Sequence, residues 1–587
     1  MKNKSILLVL ISLYFYNQTY SQNVSENIRL NQIGFYPKAS KEAVIVGDKK
    51  DLFFILSESK KDTVLKGNLS PQRINSISQK TTQIADFSGV KKEGKYVVYV
   101  PNVGFSYPFE IKKQVHREAA IASLKGYYFQ RMSTELLEKH AGIYKRPAGH
   151  PDNKVLIHAS AATKERPEGH IISASKGWYD AGDYNKYIVN SGISTGTLFL
   201  LYENHPEYLK TFEANIPESG NTIPDLLDEA LWNLRWMLSM QDPNDGGVYH
   251  KLTNPQFDGM NLMPHQATKE RYVIQKTITA TLDFAAVMAQ ANRVFKKFEK
   301  QFPKLADSCL IASEKAWVWA EKNPDKLYDQ NEMNKTFAPK VFTGAYDDKN
   351  TTDEWAWAAT ELYITTKNDK YYKPEVLYPT KPANLQTWRD VHRMSYYSLI
   401  QHQNNLTDLG KKDLPKLKKV VLDFADNLLN GVENQAFNTV MGKSAKDFMW
   451  GSSGHAANQG IALLQAFKLT KDKKYLNGAL SNLDYLFGKN AVGYSFLTGF
   501  GSKQVMHIHH RPSESDGIEK PVPGLLSGGT NQGRQDKKDG CKGYDTDIAD
   551  ECFLDASCSY STNEICINWN APMVYLATAI EALQNEF

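Results

Sequence analysis

The chain has 587 residues, 41% of them hydrophobic and 23% charged, which is enough apolar material for a large folded core and more than one domain. A formal charge of +5 over this length is close to neutral, so the charge balance makes no case for nucleic acid or an anionic membrane surface. The 10 Trp, 31 Tyr and 26 Phe suit sugar faces and protein cores alike, so their number selects neither.

In chain order, residues 1–21 read as a secretory signal. Lys2 and Lys4 precede the apolar run Ile6–Leu13, and a polar stretch ends at Ser21-Gln22. The run is short for a bilayer span, and no Cys stands near the cleavage region to carry a lipid. The mature protein is expected to be secreted or periplasmic, with no membrane span.

Residues 26–112 read as β. Ala43–Val46, Leu52–Leu56, Gln83–Phe87 and Lys95–Val100 are short and rich in branched or aromatic residues, with turn signals such as Gly47-Asp48 and Gly67-Asn68 between them. Such spacing predicts a small β-sandwich. At His116-Arg117-Glu118 the period becomes helical and stays so to the end. Leu227, Leu231, Leu234 and Leu238 recur on one face of Asp225–Gln241, and similar patterns run near 118–139, 188–204, 276–297, 309–321, 353–366, 390–403, 415–431, 455–469, 474–487 and 571–585. About eleven or twelve helices with few convincing strands imply an all-α domain over 116–587, a number that would suit a closed ring of helical hairpins. The long connections near 242–275, 322–352 and 488–563 are expected to carry the chemistry.

Of the five cysteines, Cys541, Cys552, Cys558 and Cys566 cluster near the C-terminus. In an exported protein they suggest a disulfide-braced loop, with three possible connectivities. The absence of a C-x-x-C pair weakens a zinc reading. Cys309 sits in a helical pattern and is expected to be a buried free thiol.

Three segments carry candidate chemistry. In Gly177-Trp178-Tyr179-Asp180-Ala181-Gly182-Asp183-Tyr184 two carboxylates lie three residues apart just before a helix. Alone, this is an adequate turn and helix cap; as chemistry, it is a pair that grips a water and removes its proton. His507-Ile508-His509-His510-Arg511 invites a metal, but neighbouring imidazoles point apart in an extended segment. Lining a cleft for polar substrate groups suits His509 and Arg511 equally well, and so does a solvated loop. In Asp555–Ala571, Glu564 lies among small and aromatic residues, where an apolar setting keeps a carboxyl protonated for a leaving group. Acetal hydrolysis needs such an acid facing a base across the sugar.

These residues closely resemble glycoside hydrolase family 9, the cellulase family, over nearly the whole mature chain. The loop around Trp178–Tyr187, the run Ser495–Lys503 followed by His509-His510-Arg511, and Asp555, Tyr560, Glu564, Asn570 and Ala571 match its motifs in order. Arg29–Pro37 and Val103–Phe109 resemble the immunoglobulin-like module that precedes many such enzymes. The resemblance implies an N-terminal all-β immunoglobulin-like sandwich and an all-α (α/α)6 barrel. It also implies inversion at the anomeric carbon, with Asp183 as base, Asp180 holding the water and Glu564 as acid, the carboxyls roughly 6.5–9.5 Å apart. His509 and Arg511 would bind the sugar, Asp555 would support the acid loop, and Tyr179, Tyr560, Trp450 and Trp569 are candidate sugar contacts. Core packing remains the alternative for each Trp.

No cofactor is expected for catalysis. The family's calcium turn corresponds to Asp353, Glu354 and Asp390, although an acidic helix start is an adequate alternative. The zinc of some relatives needs two Cys and two His before the Asp180 loop. Here His150 with His158 or His170 remain, but Met132 and Gly149 occupy the Cys places, so zinc is expected to be absent. Cys566 stands where the motif expects Ser, Thr or Ala; Cys552 is its proposed disulfide partner, with Cys541–Cys558 as the second pair. The expected activity is endo-acting cleavage of β-1,4-glucans (cellulose, mixed-linkage glucan or xyloglucan) by a monomer. An exo-acting oligosaccharide hydrolase and a non-catalytic glycan binder are the alternatives.

Overall fold

The computed structural model describes residues 23–587, so the signal expected at residues 1–21 lies outside it. Among the described residues no helix is long and apolar enough to cross a membrane.

The N-terminal domain is a sandwich of two sheets. Ile28–Arg29, Glu42–Val46, Thr81–Asp86 and Arg73–Ile74 form one; Gly34–Phe35, Phe109–Ile111, Gly94–Val100, Leu52–Ser57 and Thr63–Asn68 form the other, with Gly104–Phe105 paired to Gly94–Val100. The alternating inward residues meet as a separate core, where the Phe35 ring stands edge-on to Phe87 at 5.2 Å and to Phe109 at 5.3 Å.

The rest of the chain is the helical barrel. Ile188–Asn204, Ile278–Phe295, Thr352–Thr366, His392–Gln401, Ser452–Thr470 and Ile567–Ala582 form the inner ring and are buried on nearly every face. Their apolar and small residues lie all round the helix, as burial from both sides demands. Each follows an outer helix: Arg117–Phe129, Asp225–Ser239, Leu305–Lys322, the short Pro374–Leu377, Leu414–Leu429 and Lys473–Leu486. The outer helix Leu414–Leu429 buries only Leu417, Val421, Ala425 and Leu428, one stripe at helical spacing. The helix expected over 118–139 stops at Phe129, because the next residues turn away so that Arg131 bridges to Trp178 and Ser133 adopts a left-handed φ of 61°.

The periodicity gave no warning of a third sheet. Ile171–Ile172, Val155–Ile157, Tyr272–Val273, Lys251–Thr253 and Lys186–Tyr187 pair side by side among the long loops. Strands of two or three residues are too short to show an alternating pattern. The sheet nevertheless positions the site, because Lys186–Tyr187 carries the chain from the aspartate loop into the inner helix that begins at Ile188.

Sandwich and barrel are joined through buried polar contacts. Asn31 Nδ2 donates to Asp484 at 2.9 Å, while its Oδ1 accepts from the amides of Ile33 and Gly34. Tyr36 Oη donates to Glu581 at 2.7 Å, and the His116 amide donates to the same carboxylate at 2.8 Å. Asn31→Ala strands buried partners on both domains, which should cost about 2–3 kcal/mol. Urea denaturation of the full-length protein checks this; an unchanged midpoint would show that the contact is energetically idle.

Candidate active site

The loop Gly177–Tyr187 is held from behind. Trp178 Nε1 donates to Glu229 Oε1 at 2.8 Å, and Arg131 Nε contacts both oxygens of the same buried carboxylate at 3.0 Å. Arg131 also reaches Glu218, so a paired ionic network stands where lone buried charges would be costly. Tyr179 does not line a cleft. It is fully buried against Met132, Tyr184 and Ala267, and its hydroxyl lies 3.0 Å from His150 Nδ1. The expected sugar contact is therefore a packing residue: at this turn Asp180 and Asp183 are turned toward the Glu564 loop, and the ring between Trp178 and Asp180 packs away from it.

The two aspartates have separate cradles. Asp180 accepts from Asn190 Nδ2 at 2.9 and 3.1 Å and from Tyr346 Oη at 2.8 Å. All the donors to Asp183 converge on Oδ2: Asn185 Nδ2 at 2.6 Å, the Asn185 amide at 3.3 Å and Tyr187 Oη at 3.2 Å. Asn185 and Tyr187 fall two and four residues after the base, so their place in the motif was a usable signal. Tyr346 reaches the site from the long connection near 322–352, and nothing local in the sequence marks it.

The opposing wall is the acid loop. His509 pairs in parallel with Glu564, its amide donating to Asn563 O at 2.9 Å. Gly182 makes the close approach possible: a Cβ there would sit 2.1 Å from His509 O. The Gly182 amide donates to Glu564 Oε1 at 3.3 Å, and Gly182 O accepts from Arg511 Nη1 at 2.7 Å. The aspartate loop and the acid loop thus meet directly.

Arg511 also donates through Nε to Asp258 O at 2.9 Å and is nearly fully buried. Its side-chain hydrogen bonds both go to backbone carbonyls, so it locks the loops together and supplies positive charge to the carboxylates. His509 Nδ1 lies 2.6 Å from Ser557 O, a geometry in which Nδ1 donates and Nε2 is left to accept. His510 is buried against Gln130 at 3.0 Å and serves packing. Asp555 accepts from the amides of Met506 and His507 and from Asn563 Nδ2, tying the histidine segment to the acid loop.

Exposed Trp450 lies over Tyr560 with ring centroids 5.3 Å apart, and Tyr560 stands edge-on to His509 at 6.0 Å, giving a run of rings toward Glu564. Trp569 is wedged against Gly451 and Gly454, where an added Cβ would meet the indole at 2.4 and 2.8 Å. Its body is packing, beneath the turn that presents Trp450. A disulfide joins Cys541 to Cys558. The expected Cys552–Cys566 bridge is absent: both are buried free thiols, as is Cys309. Cys566 Sγ instead lies 3.9 Å from Asp180 Oδ2, while Cys552 Sγ faces Thr546 O at 3.5 Å.

The electrostatics divide the carboxyls. Burial, and then the charge of Asp183, push Asp180 up to about 8. Burial also raises Asp183, but Arg511, Asn185 and Tyr187 act against it and favour its anion. Glu564 is held well above the usual carboxyl range, by burial first and by the charge of Asp183 next. Of the facing groups, Glu564 is the one that keeps its proton and Asp183 the one best equipped to lose it.

A retained proton opposite a stabilised carboxylate, beside a path of aromatic rings, is the chemistry of acetal cleavage, and the class is that of glycoside hydrolases with an immunoglobulin-like front domain. The chain belongs to glycosyl hydrolase family 9, whose model matches residues 116–577; the cellulase N-terminal ig-like domain matches residues 23–104. It is 43% identical to a xyloglucan-specific endo-beta-1,4-glucanase of Bacteroides ovatus, over 95% of this chain and 94% of that protein. Endoglucanase D of Acetivibrio thermocellus is 30% identical over 95% of this chain and 84% of its own length. Among solved structures, one described as Bacteroides ovatus GH9 superposes with a TM-score of 0.90 at 42% identity, covering 95% of this chain and 99% of that one. A mutant thermostable endoglucanase from Alicyclobacillus acidocaldarius superposes with a TM-score of 0.83 at 27% identity, covering 95% and 99%.

Gly182→Ala is expected to reduce kcat/KM by about a hundredfold or more, because the added carbon must displace His509 and with it Glu564. Initial rates on a soluble β-glucan check this, and near-normal turnover would show that the loops need not touch.

Proposed function

We propose that the protein cleaves xyloglucan and unbranched β-1,4-glucans within the chain, with inversion. In this reading Asp183 takes a proton from the attacking water, Asp180 helps to hold that water, and Glu564 protonates the leaving oxygen. That the chain is a β-1,4-glucan hydrolase follows from its family and from its similarity to endoglucanases over nearly its full length. The single observation that carries the residue roles is the contact of Gly182 with Glu564, which sets the aspartate loop against the acid. Xyloglucan comes first among substrates because the relative at 43% identity is specific for it. Trp450 and Tyr560 are assigned to sugar stacking, and His509 to a sugar hydroxyl through Nε2. The enzyme is assigned to export and to a monomeric state.

Mechanistically, the groove must sustain unlike protonation states in neighbouring carboxyls. Arg511 favours both anions electrostatically, yet Glu564 retains its proton because burial, and after it the field of Asp183, disfavour its charged form. Activity should fall on the alkaline side only when Glu564 deprotonates, well above the range of a free carboxyl, and on the acid side when the aspartate pair takes up protons. Glu564→Gln should lower kcat on xyloglucan by at least about a thousandfold while leaving oligosaccharide binding within about threefold, since only the proton is lost. A β-glucan panel followed by viscosity and by the anomeric NMR signal of fresh product tests the remaining points. A single small product without a fall in viscosity would favour exo action, and binding without new reducing ends would remove the enzyme assignment.

We also assign a structural calcium to the acidic helix start. The Asp353 carboxylate is engaged by the Val391 amide and Asn350, and Asp390 by Asn384. Fully buried Asp283 and buried Asp348 and Glu354 leave oxygens without a donor beside it. Asp283 and Asp348 were not among the sequence candidates. The orphaned hard oxygens fit the donor chemistry of calcium, although among the described residues no group of three or more His, Cys, Asp or Glu is arranged to hold an ion. Zinc does not fit: Met132 is packed among rings, His150 is taken by Tyr179, and Asp152 beneath them is already paired with Lys186 at 2.8 Å and Arg271 at 2.9 Å. Chelation should lower Tm by a few degrees, about 1 °C per kcal/mol lost in a cooperative unit of this size, and added calcium but not zinc should restore it. A Tm indifferent to chelator would refute the calcium site.

A further inference from the structure

Among the described residues three lysines are fully buried, and two have evident partners. Lys41 Nζ donates to the carbonyls of Tyr36, Pro37 and Ala39, and Lys186 pairs with Asp152 at 2.8 Å. The third, Lys251, has no carboxylate at ion-pair distance. Its contacts are Gly344 O at 2.7 Å, Gln330 Oε1 at 2.6 Å and Thr343 Oγ1 at 3.3 Å, all neutral. Burying an ammonium without a paired anion costs several kcal/mol, and a neutral donor would satisfy the same three oxygens without that cost. The charge therefore calls for an explanation.

Two routes lead from Lys251 to the base. Gly344, gripped by Lys251 through its carbonyl, donates its amide to Tyr187 Oη at 3.1 Å, and Tyr187 Oη donates to Asp183 Oδ2 at 3.2 Å. Thr343 Oγ1 lies 2.7 Å from Thr253 Oγ1, which donates to Asn185 Oδ1 at 3.0 Å, and Asn185 Nδ2 donates to Asp183 Oδ2 at 2.6 Å. Both side-chain donors of the base thus hang on atoms that Lys251 holds. Pairing of Tyr187 with Lys251 in the small sheet sets the two residues side by side.

We infer that Lys251 is a positioning residue for Asp183: it fixes the two donors of the base and supplies the positive field that favours its ionised form. The groups facing it from the packed elements are Asp183 on the aspartate loop and Asp347 on the loop before Thr352, with the rings of Tyr187 at 5.7 Å and Tyr328 at 5.5 Å. Neighbouring His250, lowered to about 3 by burial, brings no charge near neutrality. Burial draws Lys251 down to about 7, while Asp183 and Asp347 act to keep its proton. Below that pH it is a cation, in the region where Asp183 must ionise. The sign is then fixed: removing the cation makes the aspartate pair hold its protons to higher pH. Because Asp180 and Asp183 titrate together, the acid limb reports the pair. The role rests on Asp183 being the base.

The test is the pH profile of kcat/KM on a soluble β-glucan for the full-length wild type, Lys251→Gln, Lys251→Met and Lys251→Arg. Both neutral variants should lose about tenfold in kcat with KM within about twofold, and their acid limb should move up by about half a unit to one unit. Lys251→Arg, which keeps the charge, should leave the acid limb in place even if it turns over more slowly. An acid limb unmoved in the neutral variants, or moved as far in the arginine variant, would overturn the inference and leave Lys251 a packing residue. If Lys251→Met does not fold, Lys251→Gln decides, since it keeps a polar donor in the same polar pocket without the charge. Wild-type turnover tests the hydrolase reading, and displacement between variants tests the lysine, so the two failures are distinguishable.

Discussion

The site depends on one close approach: the backbone of Gly182 lies against that of His509, with no room for a side chain between them. Gly182 offers its amide to Glu564 and its carbonyl to Arg511, and so helps to join the base loop to the acid loop and the histidine segment. The two catalytic segments are 382 residues apart in sequence, yet they touch at Gly182 and Glu564, at the Ala181–Cys566 bridge and where the Ile567 amide donates to Asp180 O at 2.8 Å. The barrel behind them is what makes that economical: its inner helices Ile188–Asn204 and Ile567–Ala582 begin directly after the two loops and pack against one another. Backbone contact of this kind fixes positions more firmly than opposed side chains would, because few torsions separate the reacting groups from regular structure.

Given that placement, environment assigns the roles. Three carboxyls share one buried site, and they cannot all ionise cheaply in a medium that excludes water. Asp183 gathers three donors on one oxygen and has Arg511 nearby, whereas Glu564 gathers one long amide contact. The difference between base and acid therefore lies in the donors Asn185 and Tyr187, which serve Asp183 alone, since Arg511 favours the anion of both. Asp180, hydrogen-bonded to Asn190 and Tyr346 but next to another anion, falls between the two. Removing any of these partners should shift the balance among all three, which is why their titrations belong to the group.

The large features of this arrangement were readable from sequence because they are periodic or contiguous. Leucines at helical spacing announced the outer helices, and the Asp180–Asp183 turn carries its own donors within four residues. What was missed is non-periodic or distant. Strands such as Lys186–Tyr187 are too short for a pattern, and Tyr346, Asp283 and Lys251 acquire meaning only when separate loops converge. Tyr179 was misread because a turn allows neighbouring side chains to point to opposite sides, and sequence order alone does not say which faces the groove. The cysteines failed for a similar reason: Cys566 and Cys552 are close along the chain, but the first faces Asp180 and the second turns toward Thr546.

The immunoglobulin-like domain belongs to the same chain of support. Its Asn75 donates to Asp550 at 2.9 Å, and Lys80 pairs with Glu551. Those acidic residues immediately precede Cys552 and Phe553, and Phe553 packs on Phe496 and Tyr494 just before Asp555 grips the histidine segment. The acid loop is thus held at one end by the sandwich, near its middle by the Cys541–Cys558 bridge, and at the other end by the inner helix that starts at Ile567. A segment this long, with little regular structure of its own, would otherwise carry a large conformational entropy into the placement of Glu564. Docking a β-sandwich at its entrance reduces that freedom. On physical grounds the front domain is therefore part of the acid's support, whether or not it ever touches the polysaccharide.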